Sequence, residues 1–190
     1  MKKVIKSSEV ELDKSVMSIQ GNLKQGCFLE ILERIKQQLD AMLSHHCKIL
    51  VVRLDLHVEC YRPDNEVMSK FIRKVRKKLC AYYDFNRLGF IWVREQEKAK
   101  QQHYHLAFFM DANKVRYPDK CISICERIAK GWELFIFTPK NCYYLINRGD
   151  SKVYQDAFYR LSYLSKERGK GCKAKAANDY SASRIKMRLN

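Results

Sequence analysis

The sequence lacks the cysteine spacings that mark disulfide-stapled or zinc-bound domains. Its eight cysteines, at 27, 47, 60, 80, 121, 125, 142 and 172, include no Cys-x-x-Cys pair and no zinc-finger spacing with histidine. Several lie inside apolar runs, where a thiol behaves as a small buried hydrophobe. A reducing compartment without a disulfide framework is therefore expected. Long apolar runs are also missing. No segment nears the ~20 residues of a membrane span, and the start, Met1-Lys2-Lys3-Val4-Ile5-Lys6, holds no apolar stretch of signal-peptide length. These absences predict no membrane partner and a cytoplasmic location. Internal repeats are absent too.

Acidic residues are scarce beside basic ones, 21 Asp+Glu against 37 Lys+Arg, for a formal charge of +16. That excess is beyond what solubility requires and favours a polyanionic partner. With 190 residues, 46% hydrophobic and 12% aromatic, the chain has material for one packed core, which argues against overall disorder.

Residues 1–26 are polar, with glycines at 21 and 26, and suggest a loose leader. Phe28, Ile31, Leu32, Ile35, Leu39 and Met42 then recur at helical spacing. From Lys48 to Cys60 the period becomes two, with Leu50, Val52, Leu54, Leu56 and Val58 on one face and Val51, Arg53, Asp55, His57 and Glu59 on the other. Asp64 is placed to cap a helix whose apolar stripe is Met68, Phe71, Ile72, Val75 and Leu79. Six basic residues and no acidic one fall between Lys70 and Lys78 of that helix. Residues 88–97 and 102–111 read as a hairpin turning near Lys98-Ala99-Lys100. A helix over Asp119 to Trp132, a short strand over Asn141 to Asn147, and a helix capped by Ser151 and running to about Glu167 complete the order.

The expected fold is thus α+β, a ferredoxin-like β-α-β-β-α-β antiparallel sheet with a C-terminal helix and an N-terminal helix. The first and third strands would lie side by side, so that the Arg53/Asp55/His57 and His103/His105 faces meet. The expected divisions are a leader and helix over 1–46, a central domain over 47–168, and a basic tail over 169–190, read as a mobile polyanion-binding extension.

Two constellations carry chemistry. His103 and His105 stand two apart at the head of an apolar run, so both imidazoles project from one face of a strand. A single histidine reads as a hydrogen-bonded structural residue, whereas two on one face offer two nitrogen donors at fixed spacing for a divalent ion. Glu95 is the favoured third ligand, because across the hairpin it falls nearly opposite His103. Asp55 and His57 on the neighbouring strand are the alternates. The adjacent pair His45-His46 reads as a solvated helix end.

The second constellation is Tyr159, Tyr163 and Lys166. At 100° per residue, Tyr154, Ala157, Phe158, Leu161 and Leu164 form the core stripe of the last helix. Tyr159, Tyr163, Lys166 and Lys170 lie about 140° to 180° away. These tyrosines are either ordinary surface residues or a nucleophile with a lysine one turn on, where a cation favours the phenolate. Tyr104, Tyr143, Tyr144 and Trp92 are candidates for stacking on unpaired bases, although Trp92 fits a core better.

Four motifs stand in order: Val52-Arg53-Leu54-Asp55-Leu56-His57, then Trp92-Val93-Arg94-Glu95-Gln96 with His103-Tyr104-His105-Leu106-Ala107, then Ser162-Tyr163-Leu164-Ser165-Lys166, and Tyr180-Ser181-Ala182-Ser183-Arg184. In these the chain resembles the HUH endonuclease superfamily, and within it inovirus-type replication initiators and the YagK/YfjJ prophage proteins. The resemblance covers most of residues 48 to 188.

It implies a rolling-circle replication initiator of a phage, prophage or mobile element in a bacterial host. Such an enzyme nicks a single-stranded DNA origin through a 5′-phosphotyrosine and meets host replication proteins. It further implies that His103, His105 and Glu95 bind Mg²⁺ or Mn²⁺, that Tyr163 attacks, that Lys166 assists, and that Tyr159 is a second tyrosine of the two-tyrosine type. An HUH-type transposase is a close rival. A noncatalytic nucleic-acid-binding or regulatory module on the same sheet is the alternative from another class.

Overall fold

The computed structural model describes residues 3–96, 102–170 and 177–188. The expected turn at 98–100 and Cys172 lie outside these residues. The elements are β1 (Val4–Ile5), β2 (Glu9–Leu12), β3 (Ser15–Ser18), β4 (Cys27–Phe28), α1 (Leu29–His45), β5 (Lys48–Val58), α2 (Glu66–Tyr83), β6 (Gly89–Glu95) and β7 (His103–Asp111). They continue with α3 (Asp119–Lys130), β8 (Leu134–Phe137), β9 (Tyr143–Asn147), α4 (Ser151–Ser162), a 3-10 turn over Tyr163–Ser165, and β10 (Tyr180–Ala182).

The sequence periods explain the two layers. Alternation along β5 sends Leu50, Val52, Leu54, Leu56 and Val58 into a core roofed by α2 and α3, through Met68, Phe71, Val75, Leu79, Cys121 and Cys125. On the opposite face Ile49, Val51, Ile91, Val93, Ala107 and Phe109 pack against Ile31, Leu32, Ile35 and Leu39 of α1 and Ala157, Phe158, Leu161 and Leu164 of α4. The two helices cover only the half of that face near Ile49 and Val51. The remaining half of β5 presents Arg53, Asp55 and His57.

The main sheet is antiparallel, in the order β10-β6-β7-β5-β8, with β9 also pairing β5. β5 and β7 lie side by side. The outer edge of β5 is shared, β9 pairing Lys48–Val52 and β8 pairing Asp55–Val58. The sheet therefore holds two strands beyond the four-strand plan, β8 and β10. β8 is too short for its period to stand out in the sequence. β10 lies in the tail that its lysines and arginines suggested was mobile, and it pairs with Ile91–Val93 of β6.

Three other expectations change. The leader is folded: β2 and β3 form a hairpin, β1 pairs β4, and Val10, Leu12, Met17 and Ile19 are buried against the α1/α4 layer. The last helix is capped by Asp150, whose carboxylate accepts from the Val153 amide at 3.0 Å, rather than by Ser151. That helix also stops at Ser162 and tightens into a 3-10 turn instead of running to Glu167. Asp64 does satisfy the start of α2, accepting from the Glu66 amide at 2.8 Å.

Candidate active site

Strand register assembles the cluster. Glu95 pairs with His103 across the β6/β7 hairpin, and His57 pairs with His103 across β5/β7. One residue pair along, Val93 and Asp55 flank His105. Directly opposed residues in a sheet share a face, so Glu95, His103, His105, Asp55 and His57 project together from one face, beyond the part that α1 and α4 cover.

His105 lies at the centre and is 4% exposed. Its Nδ1 is 2.7 Å from Asp55 Oδ1 and its Nε2 is 2.9 Å from Glu95 Oε2. Burial alone would depress the imidazolium, but the hydrogen bonds to the two carboxylates outweigh it and raise the His105 pKa. Burial likewise works to raise Asp55 and Glu95, and the bonds to His105 hold both below the usual carboxylate range. The His57 ring stacks on His103 with centroids 5.3 Å apart, and burial lowers its pKa.

One ligand atom each from Glu95, His103 and His105 lie within 4.8 Å of one another. Two donors bound at right angles to one ion at ~2.1 Å stand about 3 Å apart, close to the Glu95–His105 separation. Asp55, on the other ring nitrogen, has the position of the outer carboxylate that orients a ligating histidine. The donor set fits a divalent ion. Glu95 belongs to this cluster of possible ligands, and Asp55 lies on the opposite side of the same imidazole.

Tyr163 stands over this cluster, its ring edge-on to His105 with centroids 5.2 Å apart. The Arg53 guanidinium is 4.5 Å and the Lys166 ammonium 5.0 Å from the Tyr163 ring centroid. Arg53 is buried and also reaches Asp55 at 3.5 Å. Tyr159 is not part of this group. It is 47% exposed and lines a separate groove with Ser8, Glu9, Ser18, Gln20 and Asn22. Lys166 borders both the groove and the Tyr163 ring.

The folded leader fixes where Tyr163 sits. The Ser162 hydroxyl accepts from the Gln20 amide at 2.9 Å and donates to the Tyr159 carbonyl at 2.7 Å. The Glu167 amide donates to the Gly26 carbonyl at 2.9 Å, and Cys27 and Lys166 form an isolated β-bridge. These bonds end the helix and hold the 3-10 turn against the sheet.

Sequence reasoning gave no role to three residues at the site. Arg53 had a signal, since it alternates with Asp55 and His57. Lys170 lies against Glu95, with Nζ 3.8 Å from Oε2, and burial pushes its pKa down to about 8. Gly169, at φ +72°, presses its backbone on Glu95, where a Cβ would collide with the carboxylate side chain. Its carbonyl accepts from the Gln96 amide at 2.7 Å.

Among the stacking candidates, Trp92 and Tyr104 are core residues, 4% and 0% exposed. Tyr144 packs against the α1/α4 layer. Tyr143 is exposed, but pairs with Val52 and so faces the other side of the sheet. His46 is tied to Asp111 at 3.3 Å instead of standing free in solvent.

The sequence pattern of the YagK/YfjJ C-terminal domain family matches residues 11–179. The chain is 26% identical over 179 residues to the uncharacterized protein YfjJ of Escherichia coli strain K12, covering 73% of this chain and 86% of that one. No solved structure matches it. Among the described residues no helix is long and apolar enough to cross a membrane.

Proposed function

The chain belongs to the YagK/YfjJ C-terminal domain family, and on that premise we propose that it is an HUH-type, metal-dependent endonuclease and strand transferase acting on single-stranded DNA, the initiator of rolling-circle replication of a phage, prophage or mobile element. In this reading the succession β5-α2-β6-β7-α3-β9 is a ferredoxin-like core, to which β8 and β10 add edge strands. The observation that carries the proposal is the Tyr163 ring against His105, over the one group of His and Glu donors found among the described residues that could hold an ion.

Glu95, His103 and His105 would hold Mg²⁺ or Mn²⁺, with Asp55 orienting His105. The ion supplies positive charge at the nonbridging oxygens of the scissile phosphate. Tyr163 Oη attacks phosphorus. The Oη–P bond forms, the P–O3′ bond breaks, and the phenolic proton leaves as the 3′ oxygen gains one. The products are a 5′-phosphotyrosyl protein and a 3′-hydroxyl that can prime synthesis. Arg53 and Lys166, both beside the Tyr163 ring, would stabilise the charge that develops on the phosphate. The phosphoester energy is retained, so rejoining needs no ATP. Tyr159, in its separate groove, is available for a second transfer only if the strand or the helix end moves. The DNA origin and host replication proteins are the partners of this reading, and the bacterial cytoplasm is its location.

A second reading, a noncatalytic nucleic-acid-binding module, is favoured by one feature: both His105 nitrogens already face carboxylates, as in a buried ion triad with a proton in the ion's place. Incubation with single-stranded DNA and Mn²⁺ separates the two. A covalent protein–DNA adduct that EDTA abolishes supports the nuclease, and DNA binding without any cleavage across divalent ions supports the module.

A further inference from the structure

Phe135 and Phe137 are 64% and 50% exposed, an unusual state for two phenylalanines in one strand. Their neighbours Leu134 and Ile136 are buried in the core under α2 and α3, so the two rings project from the opposite face. Register places them in the rows of the active site. Phe135 opposes His57, which opposes His103, which opposes Glu95; Phe137 opposes Asp55, which opposes His105. The Phe135 and His57 ring centroids are 6.2 Å apart. An aromatic surface therefore runs from the edge of the sheet directly to the His/Glu cluster.

We propose that Phe135 and Phe137 form a stacking platform for two unpaired bases of a single-stranded nucleic acid whose backbone passes the His105 cluster. Two residues along a strand are about 6.6 Å apart, roughly twice the ~3.4 Å rise of a stacked nucleotide strand. Each ring thus takes one base, splayed from the next. The charge beside the rings suits the backbone of such a strand. Lys140 follows β8 and is exposed, and its carbonyl accepts from Arg160 Nη2 at 2.6 Å, which brings a second cation to the end of the strand. Flat faces without a paired donor or acceptor pattern suit stacking on any base. The platform gives affinity with little sequence preference.

The identity of the occupant rests on reading the cluster as a phosphate site, so the test keeps binding apart from cleavage. Affinity of the full chain for a fluorescein-labelled oligothymidylate is measured by anisotropy in EDTA, beside an abasic deoxyribose-phosphate strand of equal length. Phe135→Ala and Phe137→Ala should each weaken oligothymidylate binding on the order of tenfold. Phe135→Tyr should retain affinity, and the abasic strand should bind weakly and ignore all three substitutions. Unchanged oligothymidylate affinity in the double alanine variant would overturn the platform, whether or not the protein cleaves DNA. So would a dimer that the double variant dissociates without any change in strand affinity, because the rings would then serve a second copy of the chain. Reduced affinity in a protein that never forms an adduct would keep the platform and remove the nuclease.

Discussion

Glu95 and Asp55 occupy equivalent-looking places on either side of His105, and the proposed metal site gives them different roles. A ligand gives a lone pair to the ion, whereas the outer carboxylate only fixes the tautomer and orientation of the imidazole. Glu95→Gln or His105→Ala should therefore reduce Mn²⁺ affinity more than Asp55→Asn, for which a loss of about 10- to 100-fold is expected. Calorimetric titration with Mn²⁺ ranks the three, and the reverse order would move the ligand to β5. The pH dependence has a definite sign. The His105 pKa is raised, so below it the imidazole holds a proton that an ion must displace. Mn²⁺ affinity should rise with pH through that titration and then level off. The pairing of His103, His105 and Glu95 was legible in the sequence because strand alternation and hairpin counting involve neighbours. Lys170 and Gly169 were not, because their approach to Glu95 depends on where the chain goes after the helix has ended.

The elements around the site show the same division between local and distant causes. The β5, β6 and β7 strands and the helices α1 to α4 follow from period, and their bounds lie within a few residues of expectation. The end of α4 does not. It is set by Gln20, which is 142 residues from Ser162 in sequence and is hydrogen-bonded to it. Nothing in the period of residues 151–167 records that bond. Ser162→Ala leaves the Gln20 amide without this acceptor, in a setting where an unmet partner costs about 1–2 kcal/mol. Urea denaturation should register that loss, and the yield of covalent adduct should fall with it as Tyr163 loosens. Loss of stability with full adduct yield would mean that the clamp does not position the nucleophile. The local counterpart is Asp150→Ala, which should cost about 1 kcal/mol through the lost cap and leave the adduct intact.

At the scale of the molecule, the described residues carry basic groups on two faces, Arg53, Lys166 and Lys170 at the His/Glu cluster and a second group on α2. Lys70, Arg73, Lys74, Arg76, Lys77 and Lys78 are exposed on α2, over the core opposite the His/Glu cluster. A strand that crosses the cluster need not cover them, so they are available to a second stretch of polyanion backbone. Removing the tail from residue 170 would not isolate a charge effect, since it takes β10 from the sheet and Lys170 from Glu95. Substituting Lys74, Lys77 and Lys78 with alanine avoids this. If all three pair with phosphates of a single strand, the slope of log affinity against log salt should become shallower by about 2. An unchanged slope would assign the basic face to another partner or to solvation alone.

One bond defines the proposed reaction, that between Tyr163 Oη and a DNA 5′-phosphate. Protein incubated with single-stranded DNA and Mn²⁺, denatured, digested and analysed by mass spectrometry should yield a nucleotide-bearing peptide that contains Tyr163, and Tyr163→Phe should yield none. Attachment at Tyr159 alone would contradict the assignment of the nucleophile. Cleavage that leaves no peptide on the DNA would replace the tyrosine with a metal-activated water.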